Sequence, residues 1–320
     1  MYSLSHWVAF NLLVIFLLAL DLGVMNRKDH VIKVKEALVW TAFWVSLSLV
    51  FNLGVYYWFG SRAATDYLTG FLLEKSLSVD NLFVIVMVFN YFKVKPKYQH
   101  RVLFWGILGA LIMRGTLIVL GSTLVKQFNW ILYIFGAFLV YTGIKMLFTD
   151  EDDEIEPENN PLVKLFKKFM PVTPAFHGNK LFIIQNGKRF ATPLFITLIV
   201  VEVSDLIFAV DSIPAIFAVT QDPFIIYTSN VFAILGLRSL YFALAAIVDR
   251  FHYLQYGLSV ILSFIGVKML VNHWLHLPSW LTLVIVVGLL FLSVIASVIW
   301  PPKHEDTDKT EDSDSKVAMG

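Results

Sequence analysis

The stretch VVEVSDLIFAVDSIPAIFAVT, residues 200–220, places three carboxylates inside an otherwise apolar segment. Its acidic residues are Glu202, Asp205 and Asp211. Each isolated charge at the centre of a bilayer costs on the order of 2.5–3.5 kcal/mol on insertion scales. The stretch therefore predicts a membrane helix whose acidic side chains face the protein interior or a wet cavity, where partners stabilise them.

The whole chain has the composition of a polytopic membrane protein. Of its 320 residues, 58% are hydrophobic and 15% are charged, whereas soluble domains carry roughly 25% charged residues. A helix needs about 20 residues to cross the hydrocarbon core. The chain offers nine such segments, and we therefore expect an all-α membrane protein with nine transmembrane helices. These segments are 6–25, 38–59, 68–91, 102–125, 129–148, 193–219, 224–248, 253–272 and 280–300.

The distribution of lysine and arginine predicts the orientation. With nine helices, the loops and tail on one side hold 18 of these residues, and the other side holds two, Arg62 and Lys126. Because cytoplasmic loops carry the excess of positive charge, we expect the N-terminus outside and the C-terminus in the cytoplasm. The first apolar run lacks a basic start and a small-residue cleavage site, so we expect it to remain as a membrane helix.

Two triplets of helices resemble each other. EKSLSVDNL (74–82) in the third helix and DLIFAVDSI (205–213) in the sixth each place an aspartate six positions after an acid. YIFGAFLVYTGIKML (133–147) in the fifth helix resembles YGLSVILSFIGVKML (256–270) in the eighth. Because three is odd, the second triplet enters the membrane from the opposite side. We therefore predict an inverted repeat of helices 3–5 and 6–8, a layout that places substrate sites near the midplane.

The repeat divides the chain into six expected parts. They are two N-terminal helices (1–60), the first repeat (66–148), a cytoplasmic linker rich in acidic and basic residues (149–190), the second repeat (193–272), the ninth helix (280–300) and a disordered cytoplasmic tail (301–320).

Polar residues of the third and sixth helices form a candidate cation site. The chain has no cysteine, and carboxylate, amide and hydroxyl oxygens suit Mn²⁺, Mg²⁺ or Ca²⁺ better than zinc or copper. The candidate metal ligands are Glu74, Asp80, Asn81, Glu202, Asp205, Asp211 and Ser212. At about 100° per residue these acids do not share one helix stripe. Either the sixth helix is broken near Pro214 or its acids face different neighbours.

The same acids also fit a purely structural role, as the negative partners of buried ion pairs. The candidate counter-ions are Arg114, Arg238, Lys145 and Lys268. Five acids exceed the two arginines that lie deep in helices, which favours a cation site over a pure ion-pair scaffold. The surplus also suggests that a carboxylate exchanges a proton for the cation. A passive divalent cation channel is a further alternative, and it would not require a pH gradient.

Other classes of function find no support in the sequence. We find no nucleophile constellation, nucleotide-binding loop or nucleic-acid surface, so we expect neither an enzyme nor a nucleic-acid partner. We also expect no prosthetic group. The expected partners are the lipid bilayer and the divalent cation, and the sequence identifies no protein partner.

Four motifs resemble the TerC family, most closely its Alx-type members. They are LLEKSLSVDNLFV (72–84), VEVSDLIFAVDSIPAIFAVT (201–220), FAILGLRSLYF (232–242) and GVKML (266–270). The resemblance covers nearly the whole membrane part of the chain. It implies a bacterial inner-membrane protein with nine helices, grouped with LysE-type exporters, associated with tellurium resistance and implicated in manganese export. The family's acidic motif positions correspond to Glu74, Asp80, Glu202, Asp205 and Asp211.

Together, the residues and the resemblance predict an exporter of a divalent cation, with Mn²⁺ as the expected cargo. We expect Asp80 and Asp211 as primary ligands, while the other three acids complete the site or move protons. Tellurite is an oxyanion that these acids would repel, so we expect any tellurite tolerance to be indirect. The alternative from another class is a membrane scaffold in a metal or tellurite stress response that performs no transport itself.

Overall fold

The computed structural model describes residues 4–25, 33–148, 171–173, 175–185, 187–245, 253–271, 274 and 277–299. These residues form nine helices and one hairpin. The helices are α1 (Leu4–Met25), α2 (Val34–Tyr91), α3 (Pro96–Gln127), α4 (Ile131–Phe148), α5 (Pro193–Val219), α6 (Pro223–Leu235), α7 (Leu237–Leu244), α8 (Leu254–Val271) and α9 (Ser279–Ile299). The strands are β1 (Phe182–Gln185) and β2 (Lys188–Ala191).

The helices confirm an all-α polytopic membrane protein. Within the described residues, seven helices are long and apolar enough to cross a membrane, or eight if the bent pair of α6 and α7 is one span. Large apolar side chains on the outside of the bundle, such as Leu12, Phe16 and Phe291, are more than 60% exposed. Lipid covers such side chains in a membrane, which explains why these helices are apolar on all sides.

Helix α2 is the largest departure from the predicted segments. It merges the predicted segments 38–59 and 68–91 into one element of 58 residues. At 1.5 Å per residue this length is about 87 Å, nearly three times the thickness of the hydrocarbon core. The element is interrupted at Gly60, whose φ of 88° and ψ of 174° are not helical. Glycine adopts such a positive φ at little cost because it has no Cβ.

Five other helices agree closely with the predicted segments, whereas α3 begins six residues earlier than its segment. Helix α5 has the predicted bounds, and α4, α8 and α9 begin and end within two residues of theirs. The predicted seventh helix is divided into α6 and α7, which meet at Gly236 and are bent by 42°. Segments 149–170 and 301–320, which include most of the predicted linker and the whole tail, lie outside the described residues.

The described end of the linker contains a hairpin that the sequence analysis did not predict. Strands β1 and β2 pair antiparallel, with Gln185 opposite Lys188 at the turn. The sequence signal for this turn is the Asn-Gly pair at 186–187, a dipeptide that favours two-residue hairpins. Gly187 has a φ of 76°, as such a turn requires.

Helices α4 and α8 contact each other through small residues. A Cβ on Gly266 would lie 2.7 Å from the carbonyl oxygen of Gly136, and a Cβ on Gly143 would lie 2.8 Å from that of Ser259. Early residues of α4 therefore meet late residues of α8, so the helices run antiparallel. In the alignment of the two triplets, Gly143 corresponds to Gly266 and Gly136 to Ser259. The two contacts are thus equivalent under that alignment.

Candidate functional site

The guanidinium of Arg114 joins two buried carboxylates from different helices. Its Nη1 donates to Glu74 of α2, and its Nη2 donates to Asp205 Oδ1 of α5 at 2.8 Å. A third hydrogen bond runs from Nε to the other oxygen of Asp205 at 3.3 Å. The exposed fractions are 2% for Glu74, 3% for Arg114 and 5% for Asp205. The pairing therefore lies inside the protein, where water cannot replace it.

Amide and hydroxyl groups occupy other positions around this pair of acids. Asn81 Nδ2 donates to Asp205 Oδ1 at 2.9 Å, and Asn230 Nδ2 of α6 donates to Glu74 Oε2 at 2.8 Å. The hydroxyl of Ser212 accepts from Arg114 Nη1 at 3.2 Å. Buried polar groups need such partners, so the cluster fixes α2, α3, α5 and α6 relative to one another.

Glu202 lies one turn before Asp205 on α5, beside Gly109 of α3. Its carboxylate occupies the space where a Cβ on Gly109 would stand, so a larger residue there would displace it. Glu202 is half-buried and interacts electrostatically with the like charge of Asp205. Among the described residues, Arg114 is the one cationic side chain that contacts Glu74 and Asp205, and Glu202 adds a third carboxylate beside them. The cluster thus carries more carboxylates than cations.

Asp211 faces a different part of the protein from Asp205. Thr142 of α4 donates a hydrogen bond to its Oδ1 at 3.3 Å, and Lys145 interacts with it electrostatically. Helix α5 continues through Pro214 as one element. Of the two expectations for this helix, the structure therefore favours acids with different neighbours over a broken helix. Asp80, the corresponding residue in the first repeat, is half-buried on α2.

The second predicted arginine counter-ion has a partner outside the acidic motifs. Arg238 at the start of α7 donates to Asp21 Oδ1 of α1 at 2.7 Å, and the exposed fractions of these residues are 2% and 5%. Just before the bend between α6 and α7, the carbonyl oxygen of Ala233 accepts from Lys75 Nζ at 2.9 Å. These two contacts attach α7 to α1 and α6 to α2, one on each side of the bend. Lys268 is buried at the far end of α8, away from the cluster.

The structure thus brings four of the seven predicted ligands together at Arg114. They are Glu74, Asn81, Asp205 and Ser212. Within the described part of the chain, no three histidine or acidic side chains converge closely enough to hold a metal ion. In this conformation the guanidinium lies between the two acids that a cation would approach.

Three polar contacts at or near the site were not predicted from the sequence. They involve Asn230, Asp21 and Thr142. Each of them involves a polar side chain in an apolar helix, and such a side chain predicts that a partner exists within the membrane. That signal does not identify the partner, because each contact joins helices that are distant in the sequence.

Comparison with known proteins agrees with this architecture. Residues 59–305 match the family described as "Integral membrane protein TerC family". A membrane protein of Myxococcus xanthus is 51% identical over 305 residues, which cover 95% of each chain. A protein of Escherichia coli (strain K12) named Alx, whose proposed role is that of a membrane-bound redox modulator, is 47% identical over 309 residues. That alignment covers 93% of this chain and 96% of the relative. No solved structure matches the chain.

Proposed function

The chain belongs to the TerC family of integral membrane proteins, and from that premise we propose that it exports a divalent cation, with Mn²⁺ as the preferred cargo. The observation that carries the proposal is the excess of carboxylates over guanidinium groups around Arg114. An unpaired carboxylate inside a membrane protein is costly and marks an ion pathway more often than a structural contact. The oxygen donors suit Mn²⁺, Mg²⁺ and Ca²⁺ alike, and the choice of Mn²⁺ rests on the family resemblance.

The proposed topology has nine spans in a bacterial inner membrane, with the N-terminus outside and the C-terminus in the cytoplasm. The break at Gly60 supports two spans within α2, because one span of 58 residues would far exceed the bilayer. Counting α6 and α7 as one bent span then makes nine within the described residues. The equivalent glycine contacts between antiparallel α4 and α8 support an inverted repeat, since a two-fold axis in the membrane plane relates such contacts.

Arg114 acts in this proposal as a resident cation in the absence of cargo. It pairs with both Glu74 and Asp205 although it carries only one positive charge, and a divalent cation that binds these acids must displace its guanidinium. Asp80 and Asp211 are the proposed primary ligands, and Glu202 completes the site or carries a proton. Asp211 is bonded to Thr142 rather than to Arg114, so it remains accessible to cargo without rearrangement of the ion pair.

A membrane scaffold without transport is the rival proposal. It is favoured by the ion pairs of Arg114, which already satisfy two acids, and by the absence of a three-acid metal cluster within the described helices. The E. coli relative's proposed redox role gives such a scaffold a context. This chain has no cysteine, so a redox role here would not use its own thiols. We propose that any link to tellurite tolerance is indirect as well.

Flux of Mn²⁺ into inside-out vesicles tests the proposal. We expect uptake by the parent protein in the presence of a proton gradient, and loss of uptake in Asp80→Asn and Asp211→Asn. Glu36→Gln, which removes a carboxylate from the first turn of α2, is the matched control and should transport like the parent. Uptake that persists without a gradient would favour a passive channel. Absence of uptake by well-folded parent protein would favour the scaffold.

A further inference from the structure

A wide cleft lies at the end of the bundle where α5 and α8 finish and α6 and α9 begin. Its volume is about 1230 Å³, and residues 59–66, 217–222, 268–269 and 277–280 form most of its wall. We call it the Asp66 cleft, after the acid that reaches it from α2. In the proposed topology this end of the bundle faces away from the cytoplasm. None of the acids around Arg114 lines it.

Asp66 is a buried carboxylate with an unused oxygen. Only 6% of the residue is exposed, and its Oδ1 has no hydrogen-bond partner within the described part of the chain. The side chains of Ser279 and Thr220 lie beside its carboxylate, and all three residues line the cleft. Buried polar oxygens are nearly always satisfied, so an orphaned carboxylate oxygen beside a cleft indicates a site for a ligand.

The charged groups around the cleft leave Asp66 available to a cation. Asp222 accepts hydrogen bonds from the backbone of Phe224 and Ile225, so its charge is used in capping α6. Arg62 interacts electrostatically with Asp66 as well, but its side chain is exposed at the rim, where solvent screens the charge. Lys268 is 6% exposed, interacts electrostatically with Asp66, and donates to a backbone carbonyl at 3.4 Å. Its ammonium therefore competes for Asp66 without forming a close ion pair with it.

A packed layer separates this acid from the cluster at Arg114. Asp66, Gly70 and Glu74 follow each other at four-residue intervals on α2, so the two acids lie about 12 Å apart along the helix. A Cβ on Gly70 would lie 2.9 Å from both Ile216 Cδ1 and Ser229 Oγ. Helices α2, α5 and α6 are therefore tightly packed at the level of Gly70, between the two acids.

We propose that Asp66 forms a second cation-binding site, the last contact of the cargo before it leaves the protein. The ligands are its carboxylate and the hydroxyls of Thr220 and Ser279, which are hard oxygen donors suited to a divalent cation. One carboxylate makes a weak site, as release requires. Lys268 weakens it further because its ammonium competes for the same oxygens. This inference rests on the proposed export of a divalent cation.

A spin label tests the site without a transport measurement. Because the chain has no cysteine, Ser61→Cys introduces one attachment point at the cleft in the full-length, detergent-solubilised protein. Mn²⁺ alone is the probe, and its binding in the cleft should broaden the label's EPR spectrum in a saturable way. A label attached through Lys95→Cys, at the other end of the bundle, should not show this saturable broadening.

Variants of the charged residues identify the ligand. Asp66→Asn should raise the half-saturating Mn²⁺ concentration at least about tenfold, because an adjacent opposite charge shifts such equilibria by one or more decades. Lys268→Met should lower it by about tenfold for the same reason, and it tests the site independently if Asp66→Asn does not fold. Asp222→Asn is the matched control, since asparagine also caps helices, and it should change the value by less than about twofold.

The outcomes separate this site from the export proposal. If Asp66→Asn and Asp222→Asn have equal effects, or if Asp66→Asn has none, the site is overturned even when vesicles take up Mn²⁺. If broadening depends on Asp66 but vesicles take up no Mn²⁺, the site is supported and export fails. Absence of saturable broadening at Ser61→Cys in the parent background overturns the site directly.

Discussion

Replacing Arg114 with methionine removes the guanidinium that joins α2, α3 and α5. The variant leaves the carboxylates of Glu74 and Asp205 buried without their cation, and it also removes the donor to Ser212. Methionine fills a similar volume, so the change tests charge rather than packing. We expect the folded protein to lose much of its stability.

The magnitude of this loss follows from the burial of the two acids. Removal of one partner from a buried ion pair costs about 3–5 kcal/mol, because the remaining charge is uncompensated. An exposed pair would cost about 0–1 kcal/mol, but Glu74 and Asp205 are only 2% and 5% exposed. Proton uptake limits the penalty, since protonating an ordinary carboxylate at pH 7 costs about 4 kcal/mol. The loss of stability caused by Arg114→Met should therefore be smaller at lower pH.

Thermal unfolding of the detergent-solubilised protein measures this effect. At about 2 °C per kcal/mol for a chain of this size, Arg114→Met should lower the midpoint by at least about 6 °C at pH 7. Adding Glu74→Gln and Asp205→Asn to the same chain removes the orphaned charges and should recover most of that shift. A loss below 2 °C, or no recovery in the triple variant, would contradict the buried ion-pair arrangement.

Three further predictions concern the second buried ion pair, helix packing and topology. Arg238→Met should also lower stability by about 3–5 kcal/mol, and Asp21→Asn in the same chain should restore much of it, as thermal unfolding would show. Gly266→Ala should cost about 1–3 kcal/mol through overpacking, whereas Gly288→Ala on α9, with open space at its Cβ, should cost nothing by the same assay. A cysteine in place of Arg62 should react with a membrane-impermeant reagent in intact cells; reaction only after permeabilisation would reverse the proposed orientation.

Helix positions in this protein are largely a local property of the chain. An apolar run of the right length forms a membrane helix whichever neighbours it meets, because its backbone hydrogen bonds are internal. The bounds of α5 could therefore be predicted from residues 193–219 alone. The joining of two segments into α2 and the bend at Gly236 could not, because packing against other helices decides how such segments meet.

Acids that require partners inside the membrane are evident from the residues of the helices alone. The sequence also indicated Glu74 and Asp205 as equivalent positions of a repeat, since their spacing to the following aspartates is the same. Helix packing selects the cation that they meet, because Arg114 lies 40 residues from one and 91 from the other. Likewise, only the tertiary structure buried Asp66 beside a cleft. Burial and ion pairing depend on how helices distant in the sequence pack, whereas the apolar pattern of each helix depends only on consecutive residues.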